Sequence, residues 1–195
     1  VGFLSRYELI NVYDNRHPFD NLMTIDPEEE DYLWYYERLS IDSEAFSISF
    51  KLIKKLVKSG YNVSMRPHPN ENLEAYKKLK KYFGPFLSID TSNSMNEWVS
   101  KVNVIFGTTS TAFTEAYLCK IPIISSSKIQ NFNFKRNKDY IDMNDNFDRA
   151  AYTPSSINEA YDMCVDKKLQ PKKSNEIDYY LDDFYSIRNK IDPVD

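Results

Sequence analysis

Short β-prone runs alternate with amphipathic helical segments along most of this 195-residue chain. Residues 61–65 and 102–106 are two such runs, and helical spacing of apolar residues marks 43–59 and 71–83. Parallel strands need a crossover connection, usually a helix, so this rhythm predicts βαβ units. We therefore expect an α/β fold: a Rossmann-like, mostly parallel sheet with helices on both faces.

The carboxyl ends of the predicted strands should meet at one edge of the sheet. These ends fall at residues 4–6, 66–68, 88–90, 106–108 and 124–126. In open α/β sheets, ligands bind outside the carboxyl ends of the strands. Two of the ends carry residues suited to a phosphate: the run Arg66-Pro67-His68-Pro69 and the run Gly107-Thr108-Thr109-Ser110-Thr111.

Composition limits the kinds of ligand and partner. The net charge of −4 argues against a general nucleic-acid binder. No apolar run approaches the roughly 20 residues of a membrane span. There are four glycines, and the dinucleotide motif G-x-G-x-x-G is absent. A phosphate site in this chain must therefore use hydroxyls and helix ends instead of a glycine-rich loop.

The length suits one domain, which we place at residues 1–170, followed by a C-terminal helical tail at 171–195. The first residue is Val and not Met, so we expect a piece of a longer protein. Cys119 and Cys164 lie in apolar helical patterns and lack the spacing of a metal site. We expect both to be buried free thiols in a reducing compartment.

His68 is the first candidate for chemistry. Prolines on both sides remove backbone donors and keep the chain extended, which fixes the imidazole at a strand end. An imidazole there can donate to a phosphate oxygen or move a proton. Arg66 lies two residues earlier, on the same side of an extended strand, and would share the anion. The alternative is a structural turn histidine with a solvated arginine.

The hydroxyl run is the second candidate. Thr108, Thr109, Ser110 and Thr111 straddle a predicted helix start, where free N–H groups and the helix dipole favour an anion. Glu115 follows one helical turn later and can accept hydrogen bonds from ribose hydroxyls. The alternative is simple N-capping with a helix glutamate, but capping needs only one of the four hydroxyls.

These residues resemble those of a known family. Three features carry the resemblance: residues 66–71 (Arg-Pro-His-Pro-Asn-Glu), Trp98 in a short helix, and residues 104–116, which include the hydroxyl run. Together they are similar to the C-terminal half of bacterial surface-polysaccharide glycosyltransferases of the GT-B type. Within that group they look most like the enzymes that use CMP-activated sugars, the Kdo transferases and bacterial sialyltransferases, which share a His-Pro motif and a Ser/Thr motif. The runs 2–6 (Gly-Phe-Leu-Ser-Arg) and 9–11 (Leu-Ile-Asn) also look like the start of the donor-binding half in this group, so the resemblance covers roughly residues 1–125.

The resemblance implies a function. His68 would be the catalytic residue, and it would bind the donor phosphate together with Arg66 and with Thr108, Thr109, Ser110 and Thr111. Glu115 would contact the ribose or base, and Arg6 and Asn11 are further candidates. The donor would be a nucleotide sugar, such as a CMP-activated ulosonic acid, and the acceptor a glycan or glycolipid. No metal or other cofactor is expected, because fixed donors would stabilise the leaving phosphate.

The same resemblance implies a partner domain. A GT-B enzyme has two Rossmann-like domains, and this chain has room for one of them. The general base would come from the other, N-terminal domain. The chain would then be inactive alone. We expect it in the cytoplasm, at the inner face of the cytoplasmic membrane if its lysine-rich helix faces contact acidic headgroups.

Three other functions also fit the residues. A CDP-glycerol-type phosphotransferase or a nucleotide-sugar epimerase would use a similar domain for another reaction. An epimerase, however, would need a second acid–base pair across the cleft, and the motifs supply none. A non-catalytic Rossmann-like interaction module would bind no nucleotide and would expose an apolar docking patch.

Overall fold

A computed structural model describes residues 1–12, 20, 32–92, 94–108, 110–131 and 148–185 of the chain. Five strands form one sheet, in the order β3-β2-β1-β4-β5, and all neighbouring strands in it run parallel. Their bounds are Gly2–Leu4 (β1), Val63–Arg66 (β2), Leu87–Ile89 (β3), Ile105–Gly107 (β4) and Ile123–Ser125 (β5). The predicted Rossmann-like α/β fold is confirmed.

The helices of the described residues alternate with these strands over most of the chain. Their bounds are Tyr32–Lys58 (α1), Leu73–Phe83 (α2), Met95–Val99 (α3), Ala112–Leu118 (α4), Ile157–Val165 (α5) and Asn175–Tyr185 (α6). Across the same residues, no helix combines the length and the apolar character that crossing a membrane requires.

Both faces of the sheet are covered. Successive residues of a strand point to opposite faces, and in this sheet they enter two separate apolar clusters. Phe3 and Phe106 pack with residues of α1, α2 and α5. Their chain neighbours Leu4 and Ile105 pack with residues of α3 and α4. Helices therefore lie on the two sides of the sheet, as a buried parallel sheet requires.

The strand registers bring the carboxyl ends together. Leu4 lies opposite Arg66 in the pairing of β1 with β2, and Gly107 lies opposite Ser125 in the pairing of β4 with β5. This arrangement confirms the common edge expected from the sequence. After β1 the chain adds β2 and β3 on one side and then returns to the other side of β1 with β4. The topological switch point, where such sheets bind ligands, therefore lies between β1 and β4.

Two helices begin at positions other than those predicted. The helix expected over 43–59 is the second part of α1, which already begins at Tyr32. The helix expected from residue 71 begins at Leu73. Asn72 caps it by accepting the Glu74 N–H at 2.9 Å. Glu71 stays outside the helix because its side chain is engaged in buried contacts at the strand ends.

The two thiols differ in environment. Cys164 on α5 is buried, and burial raises its pKa to about 12. Cys119, directly after α4, is exposed, so the expectation of a buried thiol is wrong there. The apolar pattern misplaced it because α4 ends at Leu118, one residue before the cysteine.

The separate tail at 171–195 stays a prediction. In its described part, α6 buries Ile177 and Leu181 against Ala150. The Tyr117 hydroxyl on α4 also donates to the Asp178 carboxylate at 2.9 Å. The described part of the tail is therefore packed on the rest of the domain.

Candidate functional site

The loops that follow β1 and β2 are joined by one buried carboxylate, that of Glu71, which is 1% exposed. Its donors are the Ser5 hydroxyl, the Tyr7 backbone N–H, the His68 backbone N–H and the Tyr76 hydroxyl. Burial raises the pKa of Glu71, and the four donors act against that shift. Glu71 thereby fixes the backbone of His68 relative to the end of β1.

Helix α1 holds the loop after β1 from a second side. Arg38 and Asp42 form a buried ion pair, with 2.7 Å between Nε and Oδ1. The other carboxylate oxygen of Asp42 accepts the Leu9 N–H at 3.1 Å. Burial raises the pKa of Asp42, and Arg38 and the Leu9 N–H oppose the rise. The pair thus anchors the loop and places the Arg38 guanidinium near the strand ends.

His68 lies where these two supports meet. Its side chain is 36% exposed, and Nδ1 lies 3.0 Å from Oε1 of Glu8. Burial lowers the pKa of His68, Glu8 raises it, and the positive charges of Arg6 and Arg38 lower it again, with a net shift downward. The imidazole is therefore mainly neutral at pH 7, and it lies beside two guanidinium groups. A bound anion there would favour protonation of the ring.

Two of the residues predicted to bind ligand are engaged with other parts of the protein. The Arg66 guanidinium hydrogen-bonds the Asp90 carboxylate and lies 3.2 Å from the Ser92 hydroxyl, beyond the end of β3. The Asn11 side-chain amide donates to the Asn72 carbonyl at 3.1 Å. These contacts tie neighbouring loops together, and the roles of Arg66 and Asn11 in binding a donor stay predictions.

The hydroxyl run follows β4 at the same edge. The Ser110 hydroxyl accepts the Ala112 N–H at 3.3 Å, so Ser110 provides the side-chain bond at the start of α4. Thr111 makes no capping bond with its side chain and is exposed, while Thr108 is half-buried at the strand end. Thr109 lies outside the described residues. The sequence predicts more hydroxyls in this run than capping requires. Among the described residues, those extra hydroxyls are Thr108 and Thr111.

Glu115 is exposed on the first turn of α4. Its carboxylate lies on the same short helix as the hydroxyl run, and its predicted contact with a ribose stays a prediction. The next residue toward the helix start, Thr114, is buried, and its hydroxyl has no hydrogen-bond partner among the described residues. The outward face of α4 at this end therefore carries Glu115 and Thr111, while Thr114 faces inward.

Gly107 sets the distance between β4 and β1 at the switch point. A Cβ on this residue would lie 3.2 Å from both Cβ and the carbonyl oxygen of Leu4. That separation is shorter than ordinary van der Waals contact, so any side chain would push the two strand ends apart. The glycine therefore allows a close approach between β1 and β4.

Sequence reasoning missed three residues of this edge: Glu8, Arg38 and Glu71. Glu71 stands three positions after His68 in the quoted motif, and its contacts with the loop after β1 could have been suspected from that position. Glu8 and Arg38 belong to segments without any motif. Their proximity to His68 comes from the folding of α1 and the first loop onto the end of β2.

The Ser5 hydroxyl and the backbone N–H groups of Tyr7 and His68 are bonded to Glu71. An anion at this edge would therefore face the half-exposed His68 ring on one side and Thr108 and Thr111 on the other. Within the described parts of the chain, no group of three or more His, Cys, Asp or Glu side chains is arranged to hold a metal ion. Comparison of the chain with family models, with curated proteins and with solved structures gave no match.

Proposed function

We propose that this chain is the donor-nucleotide-binding half of a GT-B glycosyltransferase that uses a CMP-activated sugar, such as an ulosonic acid, in bacterial surface-polysaccharide biosynthesis. The observation that carries the proposal is the position of His68, half-exposed beside Arg6 and Arg38 at the strand next to the switch point. That position suits an anionic group bound at the end of β1.

Strand spacing supports one shared phosphate position. Neighbouring strands lie about 4.8 Å apart, so the ends of β2 and β4 are separated by about 10 Å across β1. A phosphate above the end of β1 would then lie about 5 Å from each neighbouring strand end. His68 follows β2 by two residues and Thr108 follows β4 directly, so we expect their side chains to approach this position from its two sides.

The chemistry follows from the leaving group. Transfer of the sugar leaves negative charge on the departing CMP, and fixed donors aimed at that charge lower the barrier. His68 would donate a hydrogen bond to the phosphate as the bond to the sugar breaks. The general base and most acceptor contacts would come from the N-terminal half, so this chain alone would bind donor without transferring it.

Thermal denaturation with nucleotides tests the proposal. A ligand that binds only the folded state raises the melting temperature. CMP at millimolar concentration should raise it more than UMP does, and His68→Ala should abolish the CMP effect. Lys78→Ala, on the exposed side of α2, serves as a control that should respond like the parent chain.

Other outcomes would redirect the assignment. Absence of any shift with CMP would overturn the proposal and favour a non-catalytic module. A larger shift with CDP-glycerol than with CMP would point to a phosphotransferase, and a preference for UDP-sugars would point to an epimerase.

A further inference from the structure

The Nδ1 atom of His68 has two neighbours that require opposite protonation states of this nitrogen. Oε1 of Glu8 lies 3.0 Å away, and the Asn70 backbone nitrogen lies 3.3 Å away. A carboxylate oxygen only accepts, so the Glu8 contact needs a proton on Nδ1. The Asn70 N–H only donates, so that contact needs a free lone pair on the same nitrogen. Nδ1 can satisfy only one of them at a time.

Distance and charge favour the hydrogen bond from Nδ1 to Glu8 over the one from the Asn70 N–H to Nδ1. Its contact is the shorter of the two, and a hydrogen bond to an ionised acceptor is roughly twice as strong as one between neutral groups. The Glu8 side chain is also partly shielded from water, at 29% exposure, which limits screening of the interaction.

The charged groups around the ring come from three segments. Arg6 and Glu8 lie on the loop after β1, and Arg38 comes from α1, where Asp42 pairs with it. On the segment of His68 itself, Glu71 binds the His68 backbone N–H. Since burial and the two arginines outweigh Glu8, the ring is neutral over most of the physiological range, and its tautomer decides which nitrogen can act.

We propose that Glu8 is a positioning residue, which holds neutral His68 with its proton on Nδ1 and leaves Nε2 as the ring atom available to a ligand. In this tautomer Nε2 carries a lone pair and must take up a proton before it can donate to a phosphate oxygen. The proton comes from solvent, and the resulting imidazolium lies between the Glu8 carboxylate and the ligand anion.

The coupling has a consequence for the ligand of the proposed function, on which this step rests: a CMP-linked sugar is a phosphodiester monoanion. Such a ligand has no proton of its own to lose near neutral pH, whereas a phosphate monoester has a second pKa of about 6. Binding should therefore be accompanied by uptake of one proton at His68 and should weaken as the pH rises.

Nitrogen-15 NMR of the imidazoles tests the role of Glu8 without any ligand. The chain has two histidines, His17 and His68, so a His17→Gln variant assigns the signals. At a pH where His68 is neutral, the parent chain should show the proton on Nδ1. Glu8→Ala should move it to Nε2, with Nδ1 then accepting from Asn70, and Glu74→Ala should change nothing.

A conservative variant separates hydrogen bonding from charge. Glu8→Gln keeps a carbonyl oxygen for the Nδ1 proton but removes the negative charge. It should therefore preserve the tautomer and lower the pKa of His68. A parent chain with the proton on Nε2, or an unchanged tautomer in Glu8→Ala, would overturn the inference, and the measurement on the parent chain decides even if a variant fails to fold.

A second titration, with the methyl ester of CMP as a non-titrating phosphodiester, tests the ligand. The ester should raise the pKa of His68 in the parent chain and raise it less in Glu8→Ala. If the tautomer depends on Glu8 but the ester leaves His68 unchanged, the positioning role stands and the proposed nucleotide function fails. If the ester raises the pKa of His68 but Glu8→Ala leaves the tautomer unchanged, the proposed function stands and the positioning role of Glu8 fails.

Discussion

The two sides of the candidate site are built differently. On the His68 side, Glu71 gathers four donors from three segments, and α1 adds the Arg38–Asp42 pair. On the hydroxyl side, the described bonds are local, such as the one between Ser110 and Ala112. One side is held by contacts across the fold, the other by its own short helix.

This difference separates the residues that the scaffold uses from those that remain accessible within each motif. In the 66–71 motif, Glu71 is buried in the scaffold while the His68 ring remains half-exposed. In the hydroxyl run, Ser110 is used by the helix start and Thr111 is exposed. A substitution on the first side should therefore affect stability widely, and one on the second side should affect it little.

The largest effect is expected for Glu71→Gln. In either orientation the amide group turns at least one N–H toward a donor, so a buried donor loses its acceptor. Each such loss costs about 1–3 kcal/mol. Urea unfolding should therefore show a decrease in unfolding free energy of about 1 kcal/mol or more. Glu74→Gln is the matched control on the exposed face of α2, where a surface ion pair with Lys77 contributes about 0–1 kcal/mol. Equal stability of the two variants would contradict the scaffold role.

A smaller effect distinguishes two neighbours in the hydroxyl run. Ser110→Ala removes the bond to the Ala112 N–H, and loss of such a cap costs about 0.5–2 kcal/mol. Thr111→Ala removes a side chain without a capping bond and should cost less than about 0.5 kcal/mol. Urea unfolding of both variants measures the difference. A larger loss for Thr111→Ala would mean that the capping roles are reversed.

The smallest effect concerns pH. The pKa of His68 is lowered from its ordinary value of 6.5 in the folded chain, so the unfolded chain binds more protons between the two values. The contribution of His68 is fully present above the unfolded pKa and is lost as the pH falls through the folded one. Unfolding free energies at about pH 7.5 and 5.5 should therefore decline more for the parent chain than for His68→Gln. An equal decline in both chains would argue against a lowered pKa.

The sequence predicted the layout of the site better than its connections. Alternating apolar runs were enough to place strand ends at one edge, because parallel strands joined by helices share direction. Helix starts depended on side-chain bonds: Ser94, Ser156 and Asn72 each cap a helix, and the Asn72 cap explains why the helix expected from residue 71 begins at Leu73.

The connections could not be predicted because they join residues far apart in the chain. Ser5 and Glu71 are 66 positions apart, and Leu9 and Asp42 are 33 apart. Neither pair follows a local rule of spacing. Arg66 shows the same limit: its place beside His68 favoured a shared ligand, but Asp90 at the end of the next strand is its partner in the fold.

The position of β1 has a consequence for how the chain acquires its structure. It is the first strand along the chain, but it lies in the middle of the sheet, between partners near Ser64 and Ile105. Contacts between such distant segments slow folding because long loops must close first. On the ribosome, one edge of β1 would stay unpaired until β4 has emerged, and such an edge can pair with a neighbouring chain. The nascent protein would then be most prone to aggregate after β2 has formed and before β4 is available.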